Sequence, residues 1–155
     1  MSMAALRGRK IAVVGLGRSG LAAARACLAA GATVTVTDKS PAAAAATPLA
    51  ELGARLELGA QDDLDLTVFD LVVISPGVPA FPAIFAAEAS GVGVISEIEL
   101  SQRLLQPTPT IAITGSNGKS TTTMLVYELL RAAGKRPFVG GNIRTPPCAL
   151  LFARL

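Results

Sequence analysis

Histidine and tryptophan are absent from this 155-residue sequence, and Cys27 and Cys148 are its two cysteines. Without histidine, a histidine-based catalytic triad is excluded within the chain. The two cysteines show neither pairing nor metal-ligand spacing, so we expect no zinc site and a reducing, cytoplasmic compartment. No signal peptide is evident, and no apolar run approaches the roughly 18 residues of a membrane span. We therefore expect no membrane partner.

Aromatic and charged residues are also scarce, at 4% and 16% of the chain, whereas 51% of the residues are hydrophobic. The core must then be built from alanine, valine, leucine and isoleucine, which suits helices packed closely on a parallel sheet. The formal net charge is +3, and no basic run or aromatic-interleaved basic patch is present. Nucleic acid is therefore not an expected partner.

A glycine-rich stretch in the last third of the chain has the pattern of a phosphate-binding loop. An apolar run at 111–113 is followed by Thr-Gly-Ser-Asn-Gly-Lys-Ser at 114–120 and then by a helical pattern. Tight turns at the two glycines and a helix N-terminus bring backbone N–H groups together, and the lysine adds a full positive charge. The strict P-loop glycine is missing, because Ile113 stands at that position. The alternative is a simple glycine turn with an incidental exposed lysine.

The N-terminal part predicts a strand–helix–strand unit. The apolar run at 10–14 ends in Gly-Leu-Gly-Arg-Ser-Gly at 15–20, a helical pattern continues to about Ala30, and the strand at 33–37 ends at Asp38. This order is typical of dinucleotide binding, with Asp38 on a ribose hydroxyl. A different nucleotide-bearing ligand could use the same crevice. In a third interpretation, the glycines only permit tight packing of helix on sheet.

Further patterns predict strands at 55–58, 71–74 and 91–95 and helices at 82–90 and 97–105. Glu97 and Glu99 are interpreted as ordinary surface or first-turn carboxylates. Two prolines at 106–109 predict a linker, and hence an α/β Rossmann-like parallel-sheet domain over 1–106. Residues 107–155 offer a strand, the glycine loop, a helix and the start of a strand at 137–139. That is too little to close a domain, so we expect an incomplete P-loop-type α/β domain.

Three motifs together resemble the Mur ligases of peptidoglycan synthesis, and among these the type that adds D-glutamate. They are the glycine loop at 114–120, Gly-Gly-Asn-Ile at 140–143 and the segment at 15–21. The resemblance implies a UDP-sugar-binding domain over 1–106 and the start of a central ATPase domain over 107–155. It implies an ATP- and Mg²⁺-dependent, ADP-forming ligase that adds D-glutamate to UDP-N-acetylmuramoyl-L-alanine via an acyl phosphate.

The same resemblance assigns roles to individual residues. Lys119 would stabilise the transferring phosphoryl group, and Ser120 would ligate Mg²⁺. The residues implied in ATP binding are Gly115, Ser116, Asn117, Gly118, Lys119, Ser120 and Thr121. Those implied in binding the UDP-sugar substrate are Gly17, Arg18, Ser19, Asp38, Lys39, Ser40, Gly77 and Asn142.

Arg144 departs from the family pattern, which has glycine at this position. The family's remaining metal ligands and its amino-acid-binding domain have no counterpart up to residue 155, so we expect this chain, as a monomer, to bind UDP-sugar without turnover. Two alternatives use the N-terminal motif differently. One is an NAD-dependent oxidoreductase, and the other is a nucleotide-sensing Rossmann module.

Overall fold

The computed structural model describes residues 3–41, 48–59, 63–105, 108–141 and 145–153. Within these ranges, five parallel strands form one sheet in the order β3-β2-β1-β4-β5. The strands are β1 (Lys10–Val14), β2 (Thr33–Asp38), β3 (Arg55–Leu58), β4 (Leu71–Ile74) and β5 (Gly93–Ser96). The predicted α/β fold with a Rossmann-like parallel sheet is confirmed.

Five α-helices and three short 3-10 turns accompany the sheet in the described residues. The helices are α1 (Arg18–Ala29), α2 (Pro82–Ala89), α3 (Glu97–Leu104), α4 (Lys119–Ala132) and α5 (Leu150–Ala153), and the turns span Met3–Leu6, Leu66–Val68 and Pro147–Ala149. No helix in these parts of the chain is both long and apolar enough to cross a membrane.

The central strand β1 has helices on both of its faces. Ile11 and Val13 belong to one buried cluster with residues of α1 and α3, whereas Ala12 and Val14 belong to a second cluster with residues of α2. Alternation of side chains across a strand explains this division. Helix α1 packs closely because its buried face consists largely of small residues, namely Gly20, Ala22, Ala23, Ala24, Ala26 and Cys27.

The second part of the chain differs from the sequence prediction. Residues 111–113 and 137–139, which we predicted as strands, are not in strand pairing; an isolated bridge joins Gly140 to Thr145. Helix α4 has no buried residue, and Ile111 is 63% exposed. A β-branched run forms a strand only where a neighbouring strand accepts its hydrogen bonds, and the described residues provide none at 111–113.

Ile11 and Ile111 form a matched pair for testing where the core lies. Ile11 is fully buried at the centre of the sheet, so Ile11→Ala should lower the free energy of unfolding by about 2–5 kcal/mol. Ile111→Ala removes the same atoms from an exposed site and should change it by about 0.5 kcal/mol or less. Urea denaturation of both variants measures the difference. Equal destabilisation would contradict the described core.

Candidate functional site

Three loops meet at the carboxyl edge of the sheet, where β1, β2 and β4 end. The Gly15 N–H donates to the Thr37 carbonyl at 2.8 Å, and the Ser75 N–H donates to the Val14 carbonyl at 2.9 Å. Backbone pairing therefore continues past the ends of the strands into the loops. Strand β1 has β2 on one side and β4 on the other, so the loops flank a point where the chain's winding direction changes. Ligand crevices of open α/β sheets form at such points.

The Asp38 carboxylate holds two of these loops together. Its Oδ2 accepts the Leu16 N–H at 2.6 Å, and its Oδ1 accepts the Ser40 N–H at 2.8 Å. Hydrogen bonds from backbone N–H groups to a carboxylate are stronger than neutral ones. In this structure the side chain fixes the loops after β1 and β2, and both of its oxygens are used for that purpose.

The glycines of the first loop serve different purposes. A Cβ added at Gly20 would lie 1.8 Å from the Gly15 carbonyl oxygen, and one added at Gly15 would lie 2.5 Å from Val78. The buried Ser75 hydroxyl donates to the same Gly15 oxygen at 3.0 Å. The packing interpretation thus accounts for Gly15 and Gly20. It does not account for Gly17, which has open space around it.

Helix α1 begins inside this crevice without a side-chain cap. Gly17 is its N-cap residue and makes no side-chain hydrogen bond, so the first N–H groups of the helix lack a capping partner. Arg18 is exposed and Ser19 is half-buried in the first turn. The other predicted substrate residues lie after β2 (Lys39 and Ser40) and after β4 (Gly77), all exposed. Asn142 lies outside the described residues.

The two glycines of the loop before α4 have positive φ angles. Gly115 has φ +145° and Gly118 has φ +75°, conformations that side-chain-bearing residues rarely adopt. The Lys119 ammonium donates to the carbonyl oxygens of Gly115 and of Ser116, the latter at 3.0 Å. The lysine charge therefore lies over its own loop. Asn117 is also exposed in this loop.

Helix α4 begins without a side-chain cap. Gly118 is its N-cap residue, and Ser120 and Thr121 are exposed in its first turn. Unsatisfied N–H groups, the positive end of the helix dipole and a lysine are chemically suited to an anionic phosphate. No group of three or more His, Cys, Asp or Glu side chains in the described residues is arranged to hold a metal ion.

Glu97 corrects one expectation from the sequence. It lies in the first turn of α3, as expected. The Ser96 hydroxyl caps this turn by accepting the Glu99 N–H. The Glu97 side chain, however, is buried rather than on the surface, with 1% exposure. Its partner is the backbone N–H of Cys148, far along the chain. No local pattern indicates this contact, which is why spacing alone missed it.

Comparison with known proteins identifies the class to which this fold and crevice belong. The family model for the N-terminal domain of MurD-like Mur ligases matches residues 9–96. The chain therefore belongs to the MurD-like Mur ligase family, as the three motifs predicted. Residues 9–96 include all three loops at the carboxyl edge, so the match covers the whole crevice.

Curated relatives agree with this family. The chain is 50% identical over 156 residues to the UDP-N-acetylmuramoylalanine–D-glutamate ligase of Anaeromyxobacter dehalogenans, a match that covers 99% of this chain and 34% of that protein. It is 48% identical over 145 residues to the ligase of the same name from Trichlorobacter lovleyi, with 91% and 32% covered. The chain thus spans about a third of the length of these relatives.

A solved structure gives the same picture of the fold. A murein peptide ligase from Psychrobacter arcticus superposes with a TM-score of 0.53 at 27% identity, covering 88% of this chain and 31% of that one. Family membership favours the ligase interpretation of the N-terminal motif over the oxidoreductase and sensing alternatives.

Gly20→Ala and Gly17→Ala test whether close packing shapes the first loop. The methyl group at Gly20 would collide with the Gly15 carbonyl and displace the loop, whereas Gly17 has nothing within 4 Å. We expect Gly20→Ala to destabilise the chain by about 1–3 kcal/mol, as overpacking does. Gly17→Ala should change stability far less, because its φ of −72° suits any residue. Thermal unfolding followed by circular dichroism measures both. A Gly20→Ala variant with an unchanged Tm would contradict the described loop.

Proposed function

We propose that the protein to which this chain belongs adds D-glutamate to UDP-N-acetylmuramoyl-L-alanine at the expense of ATP, and that this chain binds the UDP-sugar. The observation that carries the proposal is the uncapped start of α1, with exposed Arg18, between the loops fixed by Asp38 and Ser75. The names of the curated relatives supply the substrate. The chain spans about a third of their length, and we assign turnover to the whole protein.

The first crevice suits a diphosphate attached to a nucleoside. The N–H groups at the start of α1 and the Arg18 guanidinium supply positive charge, and open space at Gly17 lets a phosphate approach the backbone. Lys39 and Ser40 follow Asp38 at the neighbouring strand end, where we place the uridine side. Gly77 borders the crevice after β4, and we assign Asn142 a contact with the substrate by family resemblance.

The second loop suits ATP with Mg²⁺. Residues 115–121 would hold the phosphates through backbone N–H groups and the Lys119 ammonium, and the Ser120 hydroxyl would be a Mg²⁺ ligand. ATP supplies the phosphoryl group that activates the L-alanine carboxylate for attack by the amine of D-glutamate. The contribution of Lys119 is electrostatic, since it balances negative charge on the phosphates and forms no covalent bond.

We assign residues 1–106 to the UDP-sugar domain and residues 107–155 to the beginning of the ATP-binding domain. The boundary is supported by the end of α3 at Leu104 and by the lack of strand pairing at 111–113. Cys27 and Cys148 are both buried free thiols, which agrees with a reducing compartment, and we place the protein in the cytoplasm.

Arg18→Gln tests the UDP-sugar site. Loss of a charge-assisted hydrogen bond of about 1.5–3 kcal/mol should weaken binding of UDP-N-acetylmuramoyl-L-alanine about 10- to 100-fold by calorimetry. Arg103→Gln is the matched control, because that arginine is ion-paired with Glu99 on α3. The affinity of this variant for UDP-N-acetylmuramoyl-L-alanine should equal that of the unaltered chain. If NAD⁺ competes with UDP-sugar while Arg18→Gln has no effect, the assignment is wrong.

Lys119→Gln tests the ATP site separately. Removing the ammonium group should weaken Mg-ATP binding by about tenfold or more and leave UDP-sugar affinity unchanged. Lys135→Gln removes an exposed lysine just beyond the other end of α4 and serves as the control. Equal loss of Mg-ATP binding in both variants would show that the loop has no special role.

A further inference from the structure

The contact between α3 and the 3-10 turn Pro147–Ala149 is built on a buried carboxyl group. The Cys148 N–H donates to Glu97 Oε1 at 2.6 Å, and the Cys148 thiol donates to the Glu97 carbonyl oxygen at 3.5 Å. Cys148 is fully buried and Glu97 is 1% exposed. A buried hydrogen bond to a carboxyl group, made across a long stretch of sequence, holds this turn against the sheet domain.

The turn that Glu97 holds forms one wall of a groove on the sheet domain. The groove has a volume of about 330 Å³. One wall is helix α1, with Arg18 and Arg25, and the other is formed by Thr145, Pro146 and Ala149. The Thr145 carbonyl in turn accepts the Gly141 N–H at 3.0 Å. The Glu97 side chain is therefore connected, through the Cys148 amide and the chain at 145–148, to the groove beside Arg18. The Thr145 carbonyl extends this connection to Gly141.

We propose that Glu97 is a positioning residue, which holds residues 145–149 against α1 and thereby sets the width of the groove beside Arg18, into which we extend the UDP-sugar site. This inference rests on the proposed function, since it concerns the same ligand. Glu97 itself does not touch the ligand. Its effect passes through the Cys148 amide to Thr145 and Pro146, which face Arg18 across the groove.

The surroundings of Glu97 favour its neutral form. Its Oε2 has no hydrogen-bond partner within the described residues, and burial raises the pKa of the carboxyl group, an effect that the Cys148 N–H only partly offsets. The neighbouring thiols are neutral, because burial raises the pKa of Cys27 to about 12 and also raises the pKa of Cys148.

Charged groups on the elements around Glu97 do not alter this conclusion. On its own helix, Glu99 is exposed and paired with Arg103. Helix α1 carries Arg18 and Arg25, which face the groove. Strands β4 and β5 have no ionisable side chain, and the turn at 147–149 contributes only the Cys148 thiol.

The direction of the pH effect follows from this raised pKa. The docked turn binds a proton on Glu97 more tightly than the undocked turn does. Docking is therefore strongest below the ordinary carboxyl pKa of about 4.3 and weakens as pH rises through the raised value. Between the two pKa values, the docking equilibrium constant should fall by up to about tenfold per pH unit.

Amide hydrogen exchange at Cys148 tests the docking without any ligand. In the full 155-residue chain, the protection factor of this amide, corrected for intrinsic exchange, should fall as pH rises. Glu97→Gln keeps an acceptor oxygen but cannot ionise, so its protection should stay high and become independent of pH. Glu97→Ala should lose the protection. Glu99→Gln removes an exposed carboxylate two residues away on the same helix and should behave as the unaltered chain does.

Binding of UDP-N-acetylmuramoyl-L-alanine tests the positioning role. Affinity should fall about tenfold in Glu97→Ala, and Glu97→Gln should restore it and remove the Glu97-dependent part of its pH profile. If Glu97→Gln keeps the pH dependence of Cys148 protection, the inference is overturned, even where Glu97→Ala fails to fold. If Glu97→Ala loses protection but binds the ligand normally, the positioning role is overturned. Absence of binding by the unaltered chain would instead contradict the proposed function.

Discussion

The geometry of the first site depends on the Asp38 carboxylate, which binds the backbone N–H groups of Leu16 and Ser40 at once. One short side chain at the end of β2 thus fixes the glycine loop after β1 and the turn after β2. The Ser75 hydroxyl attaches the loop after β4, because it donates a hydrogen bond to the Gly15 carbonyl oxygen. Because its N-cap residue Gly17 has no side chain, the start of α1 has no side-chain cap. Its N–H groups can therefore serve a ligand.

The glycine loops before α1 and α4 have similar chemistry but lie in different structural surroundings. The first lies on a sheet with two buried clusters, so its position is set by close packing. The second leads into α4, whose Leu125 and Leu129 are 60% and 69% exposed. Its local geometry comes from its glycines and from the Lys119 side chain, which contacts its own loop carbonyls. Both loops precede an uncapped helix, which is the feature that suits phosphate in each case.

The strands of the sheet could be predicted because each is specified by a short, local sequence pattern. Runs such as 10–14 and 71–74 are apolar and β-branched, and glycine and proline mark their ends. The family could also be predicted, because its motifs are short and contiguous. The burial of Glu97 could not be predicted, because its side chain is held by the Cys148 amide, 51 residues further along the chain. Strands at 111–113 and 137–139 were wrongly predicted for a related reason: their pattern is right, but pairing depends on neighbours.

Hydrogen exchange with each ligand added separately tests most directly whether the chain holds two distinct anion sites. UDP-N-acetylmuramoyl-L-alanine should slow exchange at residues 15–20, 38–40 and 75–78, where the loops meet at the carboxyl edge. Mg-ATP should slow exchange at 115–121 and leave the first set unchanged. Protection by the UDP-sugar at 115–121 alone, or at neither loop, would contradict the account.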